Sequence, residues 1–313
     1  MSFMSKIFTK YIANIFSGLA DLPKDERFGK DSANIPSIPI PDYVILKDKT
    51  QNDFLKKNGY IALPMLNEEQ VSQFRELYKK WHPIPPDTFY KSYFNNNAEY
   101  KQEVEKTIIR HCTSKLEDYF EDYDPFGAMF VVKPAGNKGH IPPHQDWGFV
   151  DETKHWSLNM WLPIQDVGER NGTMRFLAGS HFFMETIRGS GTPDLYDHLI
   201  NEIEPHLVDV PLKAGEAVFF YHGIVHCSHE NKKEDERVCL GISLVQKNVP
   251  IYFNFLSSEK KELERYLANK DFYMNYTPNR DKLPENIMKV ESHAMNFTLL
   301  TPKELENKIL AIH

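Results

Sequence analysis

Two side chains that commonly bind metals stand two residues apart in this chain. His144 and Asp146 lie in the sequence His-Ile-Pro-Pro-His-Gln-Asp-Trp-Gly, which runs from residue 140 to residue 148. On a β-strand, residues i and i+2 project from the same face, so the imidazole and the carboxylate would point at one place. Two histidines and one carboxylate form the triad that holds Fe(II) and leaves coordination positions open. The pair therefore predicts two thirds of such a site.

A third ligand is available in the segment from Gly215 to Asn231, which contains His222, His226 and His229. His226 lies near the end of a short apolar run, and two antiparallel strands of one barrel can bring it beside the first pair. His222 has the same strand parity as His226. Parity alone therefore leaves the choice between these two histidines open.

Arg237 lies eleven residues beyond His226. It begins an apolar run that ends at Val245. A 2-oxo acid that chelates iron leaves its second carboxylate deep in the barrel, where a guanidinium can bind it with two parallel hydrogen bonds. Burying an arginine without an anionic partner would be costly. We therefore favour His226 as the third ligand. An arginine at the strand edge, neutralised by the acidic residues 234–236, is the alternative that spacing alone allows.

The elements that must position these residues are predicted from hydrophobic periodicity. Helical patterns dominate up to about residue 125, and Asn67 followed by Gln70 resembles a capping box. Short β-rich runs separated by turns come next, and Asn171-Gly172 is a hairpin signal. The predicted strands cover residues 128–133, 157–164, 173–177, 208–212, 217–225 and 238–245. Such a series is typical of a sandwich or barrel, and two Greek keys would make a jelly roll.

We predict one catalytic domain over residues 1–313, mainly β with flanking helices. Its helical N-terminal part would cover about residues 1–125, its β core about 126–248, and a helical C-terminal extension about 249–313. The apolar spacing from Met1 to Leu22 predicts an amphipathic helix that packs on this domain, with a membrane-surface anchor as the alternative.

Composition limits the partners and the compartment. Hydrophobic residues make up 41% of the chain and charged residues 26%, which is usual for a globular protein. A net charge of −7 argues against a nucleic-acid-binding surface. No apolar run is long enough to predict a transmembrane segment. Cys112, Cys227 and Cys239 are too few for a disulfide framework or a zinc cluster. We expect a cytoplasmic protein, whose oligomeric state the sequence leaves open.

The chain resembles the phytanoyl-CoA dioxygenase family of Fe(II)/2-oxoglutarate-dependent oxygenases over about residues 128–245. The matching segments are His144-Gln145-Asp146-Trp147, Asn171-Gly172-Thr173-Met174-Arg175, Gly179-Ser180-His181, Gly215-Glu216-Ala217-Val218-Phe219-Phe220, His226-Cys227-Ser228, Asn231 and Arg237. The resemblance implies a double-stranded β-helix of the jelly-roll, cupin-like kind. It also implies Fe(II) on His144, Asp146 and His226, 2-oxoglutarate on Arg237, and O₂ as the second co-substrate. The family usually has proline before Gly-Ser-His, where this chain has Ala178, but that turn lies outside the iron site.

Three further residues are assigned to the co-substrate site. Asn159 lies on the strand predicted over Ser157–Ile164, where its side chain would line the barrel near the co-substrate. Lys133 ends the strand before the His-x-Asp segment and could meet a carboxylate, although most lysines are solvated. Ser243, on the strand that Arg237 begins, completes this set.

Four residues are assigned to the substrate pocket. Trp147 and Phe149 cluster beside the metal-binding motif and would form its wall. Trp161 has the same strand parity as Asn159 and would line the barrel, with packing in the core as its alternative. Arg175 shares parity with Thr173, and if it pointed inward it would suit an acidic substrate.

The predicted function is that of an oxidoreductase. A dioxygenase of this kind would hydroxylate a small molecule of a biosynthetic pathway, or otherwise oxidise one of its unactivated C–H bonds. Related halogenases carry Gly or Ala in place of Asp146, so halogenation is not expected, while desaturation and cyclisation stay open. The alternatives are a non-catalytic barrel and a cupin-type metal-binding protein that uses no 2-oxo acid, which would leave Arg237 without a role. A free amino acid, an acyl-CoA, a carrier-bound acyl group and a secondary metabolite are all compatible substrates.

Overall fold

The computed structural model describes residues 43–136, 139, 141–183, 187–257, 262–276, 283, 287–294 and 299–312. The amphipathic stretch predicted over residues 1–22 lies outside these ranges. The helices are α1 (Lys49–Asn58), α2 (Glu68–Trp81), α3 (Ala98–Tyr119), α4 (Ile200–Ile203), α5 (Lys270–Asn275) and α6 (Pro302–Ile312). The predicted capping box starts α2: the Asn67 side chain accepts from the Gln70 amide, and the Gln70 side chain accepts from the Asn67 amide.

Ten strands form two antiparallel sheets. Their bounds are β1 (Tyr60–Pro64), β2 (Tyr90–Lys91), β3 (Tyr123–Lys133), β4 (Ile141–His144), β5 (Ser157–Pro163), β6 (Met174–Leu177), β7 (Leu207–Val210), β8 (Glu216–Tyr221), β9 (His226–Ser228) and β10 (Arg237–Gln246). The large sheet has the order β1-β8-β5-β10-β3-β2, and the small sheet the order β4-β9-β6-β7. This arrangement confirms the predicted class, a mainly β double-stranded β-helix with flanking helices.

The central strands of the large sheet are apolar on both faces because both faces are covered. Phe219 on β8 packs outward on Phe120, beyond the end of α3, with ring centroids 5.1 Å apart. Its neighbour Phe220 packs inward on Phe176 of the small sheet, also at 5.1 Å. Successive strand residues point to opposite faces, so one apolar run serves two cores. Burial of each such ring stabilises the fold by roughly 1.5–3 kcal/mol.

Strand pairing places the chemically important residues opposite one another. His144 on β4 pairs with His226 on β9. On the large sheet, Arg237 of β10 pairs with Lys133 of β3, and Ser243 of β10 pairs with Asn159 of β5. Both sheets therefore direct these residues into the space between them.

The helical character predicted for residues 249–313 is wrong for three stretches of that segment, although α5 and α6 are helices within it. The chain after β10 forms a separate antiparallel sheet, here called the C-terminal sheet, of β11 (Ile251–Ser257), β12 (Glu262–Ala268) and β13 (Met288–Ala294). The β12 sequence Glu-Leu-Glu-Arg-Tyr-Leu-Ala is rich in residues that favour helices. Pairing with strands on both sides overrides that local preference.

The hairpin predicted at Asn171-Gly172 is also absent, because β5 and β6 belong to different sheets. Gly172 does adopt a positive φ of 85°, which favours glycine. The Asn171 side chain accepts from the Gly168 amide and donates to the Asp166 carbonyl. The dipeptide thus makes a local turn in the connection between the two sheets.

Candidate metal and co-substrate site

Three predicted ligands meet at the small sheet. His144 Nε2 lies 3.9 Å from one oxygen of Asp146, and His226 Nε2 lies 3.7 Å from the other. The three ligand atoms all lie within 4.8 Å of one another. One imidazole comes from each of two paired strands, and the carboxylate follows just beyond β4. The arrangement leaves one side of the cluster to the cavity, as a facial triad requires.

Backbone carbonyls fix the tautomer of both histidines. His144 Nδ1 lies 2.8 Å from the Pro142 carbonyl, and His226 Nδ1 lies 2.9 Å from the Ile224 carbonyl. A carbonyl can only accept, so each Nδ1 carries the proton and each Nε2 presents a lone pair. Burial, together with the neighbouring His226, lowers the pKa of His144 to about 4. Burial also lowers the pKa of His226. Both rings are therefore neutral at pH 7, as metal coordination needs.

Asp146 is held in place by an amide and a hydroxyl from the large sheet. Asn159 Nδ2 donates to Asp146 Oδ2 at 2.5 Å, and Ser243 Oγ donates to Asn159 Oδ1 at 3.1 Å. Burial tends to raise the pKa of Asp146, but His226 and His144 outweigh it and hold that pKa below its ordinary value. Asn159 and Ser243 line the cavity. Their hydrogen bonds orient the carboxylate.

Arg237 lies at another part of the same cavity and is only 2% exposed. Its guanidinium lies over the Trp161 ring, 4.9 Å from the centroid. Nη1 donates to the Gly172 carbonyl. Within the described part of the chain Nε has no oxygen or nitrogen acceptor, and the Cys239 thiol lies beside it. Among the described residues, no carboxylate lies within ion-pair distance of this guanidinium.

Lys133 is completely buried but does not itself line the cavity. Its Nζ donates to Ser228 Oγ and to the His229 carbonyl, both at 2.7 Å. Burial and the adjacent Arg237 lower the pKa of Lys133 to about 7. Ser228 does line the cavity, so the structure places Lys133 one residue behind the surface that a ligand would touch.

The cavity has a volume of about 400 Å³, within the usual range for small-molecule sites. Trp147, Phe149 and Trp161, all predicted for the substrate pocket, line it. Further aromatic residues complete its wall: Phe89, Tyr93, Phe94, Phe126, Tyr196, Phe220 and Tyr273. Most of the surface offered to a substrate is therefore apolar and aromatic.

The prediction for Arg175 is wrong, because this side chain does not line the cavity. It forms ion pairs with Glu204 at 2.6 Å and Asp209 at 2.9 Å. Its neighbour Met174 does line the cavity, and successive residues on a strand point to opposite faces. The strand parity of Arg175 therefore turns it outward.

The other histidines of the β core have different partners. His222 lies behind Asp146, with Nδ1 2.5 Å from Ser157 Oγ. His229 pairs with Asp209 at 2.7 Å. His181 Nε2 lies 2.9 Å from the Lys56 carbonyl, a contact that fixes the turn from Gly179 to His181. Of the three candidates for the third ligand, His226 is the one that joins His144 and Asp146.

Two cationic residues that line the cavity carried no signal in the sequence. Lys91 lines the cavity near Asp146 and His226 from the short strand β2. Arg188 lies in a loop, where it donates to the Asp146 carbonyl at 2.7 Å and pairs with Glu152. Lys91 lies in a stretch without periodicity, and Arg188 lies in a loop. Neither segment has a hydrophobic periodicity from which the position of its cation could be predicted.

Two facing antiparallel sheets around a cluster of two histidines and one carboxylate define a double-stranded β-helix protein with a candidate metal centre. The sequence profile of the phytanoyl-CoA dioxygenase family matches residues 55–239, more than half of the chain. The chain belongs to that family.

Individual relatives are distant. A rice phytanoyl-CoA dioxygenase 1 is 23% identical over 246 residues, covering 61% of this chain and 86% of its own. An Arabidopsis phytanoyl-CoA dioxygenase is 21% identical over 181 residues, covering 50% and 64%. A zebrafish phytanoyl-CoA dioxygenase domain-containing protein 1 is 30% identical over 118 residues, covering 35% and 40%. The match to the last two thus spans less than two thirds of their length.

Solved structures share the fold. The non-heme alpha-ketoglutarate-dependent carbocyclase SnoK from nogalamycin biosynthesis superposes with a TM-score of 0.51 and 18% identity, covering 78% of this chain and 96% of its own. The epimerase SnoN, in complex with Fe³⁺, alpha-ketoglutarate and a nogalamycin compound, reaches 0.50 with 14% identity, covering 78% and 95%. Among the described residues, no helix is long and apolar enough to cross a membrane.

Proposed function

We propose that this protein is an Fe(II)/2-oxoglutarate-dependent oxygenase that hydroxylates a small molecule or otherwise oxidises one of its unactivated C–H bonds. His144, Asp146 and His226 would hold the iron. The observation that carries the proposal is one cavity that contains both this triad and a buried guanidinium, Arg237, without a carboxylate partner among the described residues.

The donor set suits Fe(II). Two neutral imidazoles and one carboxylate occupy a single face, and both Nε2 lone pairs are available. Asn159 limits the rotation of Asp146 by binding the oxygen that faces His226. Loss of such a supporting hydrogen bond typically lowers metal affinity by about 10–100-fold.

Arg237 supports 2-oxoglutarate as the co-substrate. A fully buried guanidinium is costly unless an anion neutralises it. A dicarboxylate whose 2-oxo acid end reaches the triad would place its far carboxylate at Arg237. A cupin-type protein that uses no 2-oxo acid would leave that charge uncompensated. When bound, iron, 2-oxoglutarate and O₂ together supply the oxidising power, and 2-oxoglutarate is converted to succinate and CO₂.

The chain's own residues would bind, orient and shield the reactants. The aromatic wall excludes water, which protects a reactive centre from side reactions. It also favours a substrate with an apolar or aromatic body. Because Arg175 points away from the cavity, it cannot bind an acidic group of the substrate. Lys91 is the cation that favours anionic groups at the metal end.

An anaerobic titration tests the proposal. Purified protein is titrated with Fe(II) and then 2-oxoglutarate, while the weak metal-to-ligand charge-transfer absorption in the visible range is recorded. We expect a band that needs both components and is lost in Arg237→Ala at the same 2-oxoglutarate concentration. Arg175→Ala, an arginine outside the cavity, is the matched control and should keep the band. Iron binding without any band in the wild type would contradict the proposal.

A further inference from the structure

Two buried cations lie side by side: Arg237 lines the cavity, and Lys133 lies directly behind its wall. Lys133 and Arg237 face each other across the β3–β10 pairing and are 0% and 2% exposed. In the ranges that the structure describes, no carboxylate lies within ion-pair distance of either. Each cation lowers the free energy of a nearby anion and raises that of the other cation. The pair therefore favours a ligand that brings negative charge.

Lys133 reaches the cavity through one intermediary. Its Nζ donates to Ser228 Oγ at 2.7 Å, and an ammonium has donors only, so the serine oxygen is the acceptor. The hydroxyl proton of Ser228 is then free to be donated elsewhere. Ser228 lines the cavity, as does Arg237. An oxygen whose lone pair is held by an ammonium is also a stronger donor, because hydrogen bonds in a chain polarise one another.

The turn at Gly172 keeps the two cations in this arrangement. A Cβ at this glycine would lie 3.1 Å from Lys133 Cδ and 3.2 Å from Arg237 Nη1. The Gly172 carbonyl accepts from Arg237 Nη1. The backbone thus packs against both side chains, and only a residue without a side chain fits there comfortably.

We propose that Lys133 is a positioning residue for the far carboxylate of 2-oxoglutarate, an inference that rests on the proposed function. Lys133 acts through Ser228. The Ser228 hydroxyl donates one hydrogen bond to that carboxylate, while Arg237 supplies the direct charge pair. Lys133 keeps the hydroxyl oriented as a donor and adds a second positive charge behind it. The two cations together select a dicarboxylate over a 2-oxo monocarboxylate of the same length.

The test compares two 2-oxo acids that share the chelating end. 2-Oxovalerate has the carbon skeleton of 2-oxoglutarate with a methyl group in place of the far carboxylate. Calorimetric titrations of Fe(II)-loaded protein without oxygen give the affinity for each. We expect the wild type to prefer 2-oxoglutarate by about 100-fold or more. Lys133→Met and Ser228→Ala should each weaken 2-oxoglutarate binding about tenfold and leave 2-oxovalerate binding unchanged.

The double variant Lys133→Met/Ser228→Ala separates an action through Ser228 from an independent one. If the lysine acts largely through the hydroxyl, the losses of the two single variants should not add, and the double variant should bind 2-oxoglutarate more tightly than their sum predicts. Fully additive losses would overturn the relay. Equal weakening of both oxo acids in Lys133→Met would show a purely structural role, and unchanged affinity would also overturn the proposal.

The two proposals fail in different ways. A wild type that binds both oxo acids equally contradicts the co-substrate site itself. A wild type that discriminates, with Lys133→Met discriminating just as well, contradicts only the role of Lys133. Should Lys133→Met not fold, Lys133→Gln keeps a donor toward Ser228 without the charge. It should then show a smaller, but still selective, loss of 2-oxoglutarate affinity.

Discussion

The β core and the C-terminal sheet are both antiparallel, yet they differ in what they contribute. The core carries the triad, Arg237 and the residues that support them, and the family profile ends at residue 239, near the start of β10. The C-terminal sheet lies entirely beyond that match. Its contribution is to hold the rim: the Tyr252 amide donates to the Phe149 carbonyl at 2.7 Å, and Asn254 donates to the Gly148 carbonyl at 2.9 Å.

The β core thus carries the candidate metal and co-substrate residues, whereas the C-terminal sheet affects the shape of the substrate cavity. The three candidate metal ligands, Asn159, Lys133 and Arg237 lie within the segment shared with the family, and Ser243 lies four residues beyond its end. Part of the aromatic wall depends on the segment outside it. Trp147 and Phe149 belong to the loop that the C-terminal sheet holds, and Tyr273 of α5 follows β12 directly. The segment outside the family match can thus shape the substrate wall without contributing a metal ligand.

Loss of the carboxylate ligand is the strongest test of the core's side of this comparison. Asp146→Ala should reduce succinate formation from 2-oxoglutarate to background and lower iron affinity by at least about 100-fold. The fold should survive, because the side chain is only partly buried. Iron content, succinate production and thermal melting measure the three effects. Retention of full succinate production would refute the ligand assignment. Asp209→Ala, an acid that pairs with Arg175 outside the cavity, is the control.

Acid should weaken the core through its buried neutral histidines. Burial lowers the pKa of both His181 and His222 to about 4, from an ordinary value of 6.5. Between these values the unfolded chain binds more protons than the folded one, so stability falls as the pH drops from about 6.5 towards 4. Each ring would contribute up to about 3 kcal/mol to that loss. Urea unfolding at stepped pH measures it.

A variant without the titrating ring checks that explanation. His181→Gln keeps a side-chain amide that can donate to the Lys56 carbonyl, and it has no proton to gain in this range. Its stability should decline less steeply with acid than that of the wild type. An unchanged slope would show that His181 does not carry its share of the effect.

The smallest expected effect concerns the C-terminal sheet. Asn254→Ala removes the bonds to the Gly148 and Arg188 carbonyls from a buried position. It should lower the melting temperature by roughly 3–10 °C, speed amide exchange at Gly148, and leave iron and 2-oxoglutarate affinities unchanged. Asn58→Ala, which removes one bond to Phe54 at a helix end, should change none of these local measurements. A large loss of iron affinity in Asn254→Ala would mean that the sheet also maintains the metal site.

The sequence was informative where local pattern and tertiary structure agree. Short apolar runs between turns became strands of the core, and the two-residue spacing of His144 and Asp146 placed both toward one point. Strand parity could not choose between His222 and His226. The turn before β9 separates the two histidines, and pairing with β4 brings His226 to the cluster.

Long-range pairing accounts for what the sequence did not indicate. The β12 segment consists largely of helix-favouring residues and is a strand only because two neighbours pair with it. The prediction for Arg175 was wrong because the sequence does not show which face of the strand Thr173 and Arg175 share. Lys91 and Arg188 reach the cavity from irregular segments, where no periodicity exists to read.

The candidate site lies between two sheets, and this has a consequence for the proposed oxidation. His144 and His226 belong to the small sheet, whereas Asn159, Ser243 and Arg237 belong to the large one. If the sheets separate, the metal ligands part from the residues that steady the carboxylate and anchor the co-substrate. If the protein is the proposed oxygenase, the iron ligands and the co-substrate anchor would therefore form a complete site only while the two sheets pack against each other.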